Sequence, residues 1–144
     1  MRRIELSLSG PPCLFVAAHN DFTPWNIRVQ SGIARIFDWE YADYEQLPLF
    51  DPLHFVLMPM ALWSRSTAMM VQSMNTTLQL GRQWLAKESC YEAQTQALAY
   101  LMNICTLYLW RDRGISESHL VVESYSKVID HILLSLHPDH LQRS

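Results

Sequence analysis

An α+β domain, with short strands and a hairpin first and a helical body after, is the fold class this chain predicts, and three observations carry it. β-type patterning is confined to the first third, in the apolar run Cys13 to Ala18 and two short β-branched runs around Ser31-Gly32. Helical periodicity takes over at Asp51 and persists to the end. The 144 residues are 49% hydrophobic and 17% charged, which suits one domain with a real core and excludes a disordered chain. The expected organisation is a single unit, 1–144, made of a loop and hairpin part (1–45) and a helical subdomain (46–144).

Taken in order, Cys13 to Ala18 follows Gly-Pro-Pro punctuation and predicts a buried strand. Asn26 to Gln30 and Ile33 to Phe37 flank the two-residue turn Ser31-Gly32 and predict a hairpin. Asp51-Pro52 predicts a helix start, with a carboxylate to cap free N–H groups and Pro at the first helical position; Pro59 should end or kink that helix near Met58. A second helix is expected from about Ser66 to Lys87, with Thr76-Thr77 and Gly81 as weak spots. The third, Glu92 to Asp112, would bury Leu98, Leu101, Met102, Cys105 and Leu109 on one stripe. The last starts after Ser116 or Ser118, places Val121, Tyr125, Val128, Ile132 and Leu136 on one face, and stops at His137-Pro138. There is no internal repeat.

Composition narrows the partners. Net charge is −3, and Lys and Arg are not clustered, which argues against a nucleic-acid partner. Cys13, Cys90 and Cys105 are odd in number and far apart, without metal spacing; they read as free thiols in a reducing cytosol. Arg2 and Arg3 precede no uninterrupted apolar stretch, and Ala97 to Trp110 is too short to span a bilayer. A cytoplasmic protein with no membrane partner is expected. The Met-rich stretch from Met58 to Met74 reads as core filler, and Trp25 and Trp39 as packing anchors.

The residues that carry chemistry lie in His19-Asn20-Asp21-Phe22-Thr23-Pro24-Trp25-Asn26, followed twelve residues later by Asp38-Trp39-Glu40. An Asp, an Asn five positions on, and a second Asp at the end of a hairpin form the layout used for phosphoryl transfer. One carboxylate takes the proton of the attacking hydroxyl, while the amide oxygen and second carboxylate suit a hard Mg²⁺ ion that also holds nucleotide phosphates. The hairpin returns Asp38 towards the loop carrying Asp21 and Asn26, so spacing and chain geometry agree. Asp38 also follows mostly apolar residues, where an unpaired carboxylate would be costly without a cation.

The segments HNDFTPWN and IARIFDWEYADYEQLPLFDPLHF resemble the catalytic part of the aminoglycoside phosphotransferase and choline kinase family, over residues 14 to 57. That family has a protein-kinase-like fold and an H-G-D-x-x-x-x-N motif followed by a hairpin and an Asp. The resemblance implies a C-terminal catalytic lobe that transfers the γ-phosphoryl group of ATP to a small-molecule hydroxyl. It implies Asp21 as catalytic base, His19 as the brace of the catalytic loop, and Asn26 and Asp38 as ligands of Mg²⁺ and through it of ATP. It places Asp51 beneath the loop, bonding its backbone, a role compatible with helix capping. Asn20 stands where the family usually has Gly and related protein kinases have Arg; Asn tolerates unusual φ better than most residues. Phe55 replaces a second family Asp. Glu40 would either reach the metal or bond backbone after the hairpin. His54, His119, His131, His137 and His140 show no metal spacing.

Only 18 residues precede His19, and the sequence holds neither G-x-G-x-x-G nor an upstream strand Lys with its helix Glu, so an N-terminal nucleotide-binding lobe is expected to be absent. A separate lobe or a homodimer would then complete the protein, and an apolar surface is expected around the first strand and hairpin. One alternative is a non-catalytic truncated lobe acting as an interaction module. Another is a metal-dependent phosphoester hydrolase using His19, Asp21 and Asp38, which lacks the further ligands of a two-metal site.

Overall fold

Strands and helices segregate along the chain in the computed structural model, which describes residues 15–85, 92–111 and 116–136. The architecture is α+β: among the described residues two small antiparallel sheets precede four α-helices. Strand β1 (Val16–Ala18) pairs with β4 (Asp43–Gln46), and a bulge between Val16 and Ala18 bends it where the chain turns into the His19 loop. Strands β2 (Ile27–Gln30) and β3 (Ile33–Ile36) form the hairpin. Its turn places Ser31 at φ 52° and Gly32 at φ 75°. Two consecutive positive φ values are what a two-residue turn needs to follow the twist of the strands, and Gly32 adopts one without strain. The expected β1 shortens: Phe15 and Ala17 are exposed, only Ala18 is buried, and Cys13 and Leu14 lie outside the described residues.

Hairpin register puts Ile27, Val29, Ala34 and Ile36 on one face and Arg28, Gln30, Ile33 and Arg35 on the other. Neither face is packed at the tip, where Val29 is 71% and Ile33 61% exposed. Phe15, Trp25, Phe37, Trp39, Tyr41 and Tyr44 are exposed in the same third of the chain. Isolated hairpins are marginal in water, and large apolar patches seldom stay uncovered. The protein is therefore expected to self-associate and to bind a hydrophobic dye, both reduced by Val29→Thr. Light scattering that gives a constant monomer mass at high concentration, without dye binding, would show this face to be closed.

The helical body is α1 (Phe50–Leu62), α2 (Thr67–Leu85), α3 (Ala93–Arg111) and α4 (Ser116–Leu136). Helix α1 is central. Leu53, Leu57 and Ala61 recur every four residues and are fully buried against Met70, Met74 and Leu78 of α2, Ala97, Leu101 and Ile104 of α3, and Val121, Val128 and Ile132 of α4. Val121, Tyr125, Val128 and Ile132 of the expected α4 stripe are buried, and the Leu136 side chain lies outside the described residues; Met58, Met70 and Met74 are core residues, whereas Met69 is exposed. Gly81 is a packing device: a Cβ there would lie 2.5 Å from a Leu49 methyl at the start of α1. Among the described residues no helix is long and apolar enough to cross a membrane. Cys105 is a buried free thiol, and Cys13 and Cys90 lie outside the described residues.

Several boundaries correct the sequence reading. Pro59 sits inside α1 and does not end it. Proline removes one donor, and the helix closes three residues later, with Trp63 N–H donating to Pro59 O and Arg65 N–H to Met60 O. Asp51 does not cap α1, which starts at Phe50; its side chain bonds the His19 loop instead. Helix α3 buries Ala97, Tyr100, Leu101, Ile104 and Cys105, while Met102 and Leu109 are exposed. The helix is apolar nearly all round, so periodicity alone does not choose its face. His137-Pro138 lies outside the described residues.

Candidate active site

The loop after β1 is held from three directions. From below, Asp51 accepts His19 N–H at 2.7 Å and Asn20 N–H at 2.9 Å, one on each carboxylate oxygen. From within, Asp21 N–H donates to His19 Nδ1 at 3.2 Å, and His19 Nε2 lies 2.7 Å from the Phe37 carbonyl. A nitrogen facing an N–H must accept and one facing a carbonyl must donate, so His19 is the neutral Nε2–H tautomer. From the side, Asn20 donates to the Tyr41 carbonyl at 2.8 Å and accepts from Gln46 Nε2 at 2.9 Å, tying the loop to β4. Asn20 itself has φ 64°, the left-handed conformation that Asn adopts more readily than most residues. His19 is buried and Trp39 covers it, ring centroids 4.7 Å apart. Trp39 and Trp25 are both exposed, so neither is the packing anchor expected, although the Trp39 ring contacts His19.

Asp21 and Asn26 form one unit. A single helical turn, Pro24–Asn26, brings the amide back so that Asn26 Nδ2 donates to the Asp21 carbonyl and to Asp21 Oδ2, each at 2.9 Å. Both amide hydrogens are used on Asp21, so the nitrogen is identified by its partners and Asn26 Oδ1 is left for another ligand. The other Asp21 oxygen, Oδ1, lies 3.3 Å from His54 Nε2. Burial pushes the Asp21 pKa up, but the hydrogen bonds from His54 and the Asn26 amide and the electrostatic influence of the His54 and His19 rings outweigh it, and the net shift is downward. Asp21 is therefore an ionised carboxylate gripped at both oxygens.

Beside it opens a cleft of about 300 Å³ whose lining includes Asn20, Asp21, Tyr41, Gln46, His54 and Tyr108. Ile104 and Leu107 of α3 close its far side. The cleft is large enough for a small polar molecule, and Asp21 is the ionised group in its wall.

Asp38 is placed by its neighbours. Phe37 N–H donates to Asn26 O at 2.9 Å, which extends the hairpin ladder, and the Phe37 carbonyl takes the His19 ring. Asp38 follows at φ 63° and ψ 58°, and the Trp39 ring after it lies on His19. The backbone of Asp38 is therefore fixed against the loop. Its side chain is exposed and makes no hydrogen bond among the described residues, which corrects the expectation that burial makes a bare carboxylate costly there. The anomaly at Asp38 is its left-handed backbone, a conformation non-glycine residues adopt at a cost. Glu40 is exposed in the turn Trp39–Tyr41.

Among the described residues no cluster of three or more His, Cys, Asp or Glu is arranged to hold a metal ion. Mg²⁺ takes few protein ligands and keeps water and phosphate for the rest, and an amide oxygen such as Asn26 Oδ1 and a carboxylate such as that of Asp38 are of the type that could hold it. Sequence reasoning passed over His54. The available signal was its place three residues after Asp51, one turn along the same helix, which carries it beneath the same loop. Comparison with family models, curated proteins and solved structures returns no match to this chain.

Proposed function

We propose that this chain is the catalytic lobe of a protein-kinase-like small-molecule phosphotransferase, acting with ATP on a hydroxyl acceptor. The observation that carries this reading is the Asp21–Asn26 pair: an ionised carboxylate fixed in the wall of a cleft, with the Asn amide oriented by two bonds to Asp21 and its oxygen left over. The acceptor hydroxyl lies in the cleft and donates to Asp21. As its oxygen bonds to the γ-phosphorus and the bond from that phosphorus to the bridging oxygen breaks, the hydroxyl proton passes to Asp21 and the nucleotide diphosphate leaves. Asn26 and Asp38 are the residues that would hold Mg²⁺, which when bound neutralises phosphate charge. His19 and Asp51 keep the loop in this conformation through five bonds or contacts, and touch no reactant themselves. Enclosure of the nucleotide falls to groups other than these residues.

Two protein oxygens without an enclosing Gly-rich loop make a weak site. The chain alone is expected to bind Mg²⁺–ATP with a dissociation constant of about 1 mM or weaker. In an NMR titration, amide shifts should concentrate at Asn26, Asp38 and the Asp21 loop, and Asp38→Ala should abolish them. Absence of any shift at these residues would remove the phosphotransferase reading, and micromolar affinity would show that this chain encloses the nucleotide by itself. The exposed hairpin favours one alternative, a non-catalytic interaction module, which predicts no response to Mg²⁺–ATP at all.

A further inference from the structure

We infer that His54 is a positioning residue for Asp21, and that Tyr100 and Tyr125 support it from behind in one order of donation. The observation is a continuous buried chain of hydrogen-bonding groups running from the cleft into the core. Asp21 Oδ1 is 3.3 Å from His54 Nε2, His54 Nδ1 is 3.2 Å from the Tyr100 hydroxyl, and that hydroxyl is 2.7 Å from the Tyr125 hydroxyl. His54, Tyr100 and Tyr125 are 3%, 1% and 0% exposed.

Only one orientation of protons satisfies every member with His54 neutral. Tyr125 O–H donates to Tyr100, Tyr100 O–H donates to His54 Nδ1, and His54 Nε2–H donates to Asp21. Every bond points towards the carboxylate. Burial pushes the Tyr100 and Tyr125 hydroxyls well above their ordinary pKa, so both remain donors.

The ring is flanked by two others. Phe50 stacks on it with planes 9° apart, and Tyr100 meets it edge-on with ring centroids 5.9 Å apart. The other ionisable groups around this chain are already placed. Asp51 is engaged by the loop backbone and His19 by Phe37 and Asp21. Tyr108 and Cys105 approach from α3 on the tyrosine side, and Tyr41 lies across the cleft. None of these takes the place of His54 at Asp21 Oδ1.

A histidine kept only for packing would be cheaper as an apolar side chain of similar size, because burying a polar ring requires partners on both nitrogens. Here both partners are supplied, Asp21 by the loop after β1 and Tyr100 by α3, and the result is a donor aimed at a carboxylate in a cleft. The meaning of that aim for catalysis rests on the phosphotransferase reading; the positioning of Asp21 does not.

The test reads the Asp21 side chain directly. Three-bond couplings to the Asp21 carboxyl carbon report its χ1 rotamer, and ¹⁵N spectra of labelled histidine report the His54 tautomer. The expected results are one Asp21 rotamer and an unprotonated Nδ1 at His54 in the native protein. His54→Gln, whose amide nitrogen can replace Nε2–H, should keep the single rotamer. His54→Leu should lose it and average among staggered wells, with the amide spectrum elsewhere unchanged. Tyr100→Phe should keep the Nε2–H tautomer, which the ionised Asp21 still requires, but shift the ¹⁵Nδ1 resonance as its hydrogen bond is lost. A single Asp21 rotamer retained in His54→Leu, or an Nδ1–H tautomer in the native protein, would overturn the inference. If His54→Leu fails to fold, the native tautomer and Tyr100→Phe still decide. Failure of the phosphotransferase reading would appear instead as a missing response to Mg²⁺–ATP with these couplings unchanged.

Discussion

Replacing Asp51 by Ala is expected to destabilise the protein by about 3 kcal/mol, since hydrogen bonds to a charged acceptor contribute roughly 1.5–3 kcal/mol each and two are lost, partly offset by solvent reaching a half-buried site. The carboxylate holds His19 N–H at 2.7 Å and Asn20 N–H at 2.9 Å, across 32 and 31 residues of chain. No other described group satisfies those two amides. Asp51→Asn keeps one acceptor oxygen and should fall between the native protein and Asp51→Ala. Denaturant unfolding measures the loss, and amide hydrogen exchange at His19 and Asn20 should quicken well before the helical core opens. An Asp51→Ala protein within about 0.5 kcal/mol of native, the range of ordinary surface substitutions, would mean that the loop is held by His19 and Asn20 alone.

This anchor also shows how far the sequence could be read. The hairpin was legible because Ser31-Gly32 between β-branched runs has few other conformations, and the α4 face because Val121, Tyr125, Val128 and Ile132 keep strict helical spacing between polar residues. The α3 face was not, because apolar residues surround that helix and the choice is made by its neighbours. One such choice buries a polar residue: Gln96 accepts Leu49 N–H at the start of α1. Strand β4 was missed for a related reason. Asp43 to Gln46 has no apolar alternation, and it is shaped by Asp43 bonding the amides of Tyr44 and Glu45 and by Gln46 reaching Asn20. The pairing of Asp21 with Asn26 was legible from their spacing. The link from Asp21 through His54 to Tyr100 and Tyr125 was not, since it joins four separate elements and no spacing encodes it.

Glycine at Asn20 and at Asp38 should act in opposite directions, although the two residues share nearly the same backbone, φ 64° and 63°. A left-handed non-glycine residue costs about 1 kcal/mol that glycine would recover. At Asn20 that gain is exceeded, because the side chain bonds both the Tyr41 carbonyl and Gln46, and each such bond contributes about 1 kcal/mol. Asn20→Gly should therefore lower stability by about 1 kcal/mol, the difference between those terms, and free β4 from the loop. Asp38 bonds nothing among the described residues, so Asp38→Gly should raise stability by up to about 1 kcal/mol. The same variant should lose the Mg²⁺–ATP response entirely. A residue whose removal stabilises the fold while abolishing a ligand response is held in a strained conformation by function. Thermal unfolding of both variants, set beside the nucleotide titration, gives the comparison. An Asp38→Gly protein that is more stable and still responds to Mg²⁺–ATP would place the metal elsewhere, and one that is less stable would mean that the Asp38 carboxylate serves the fold.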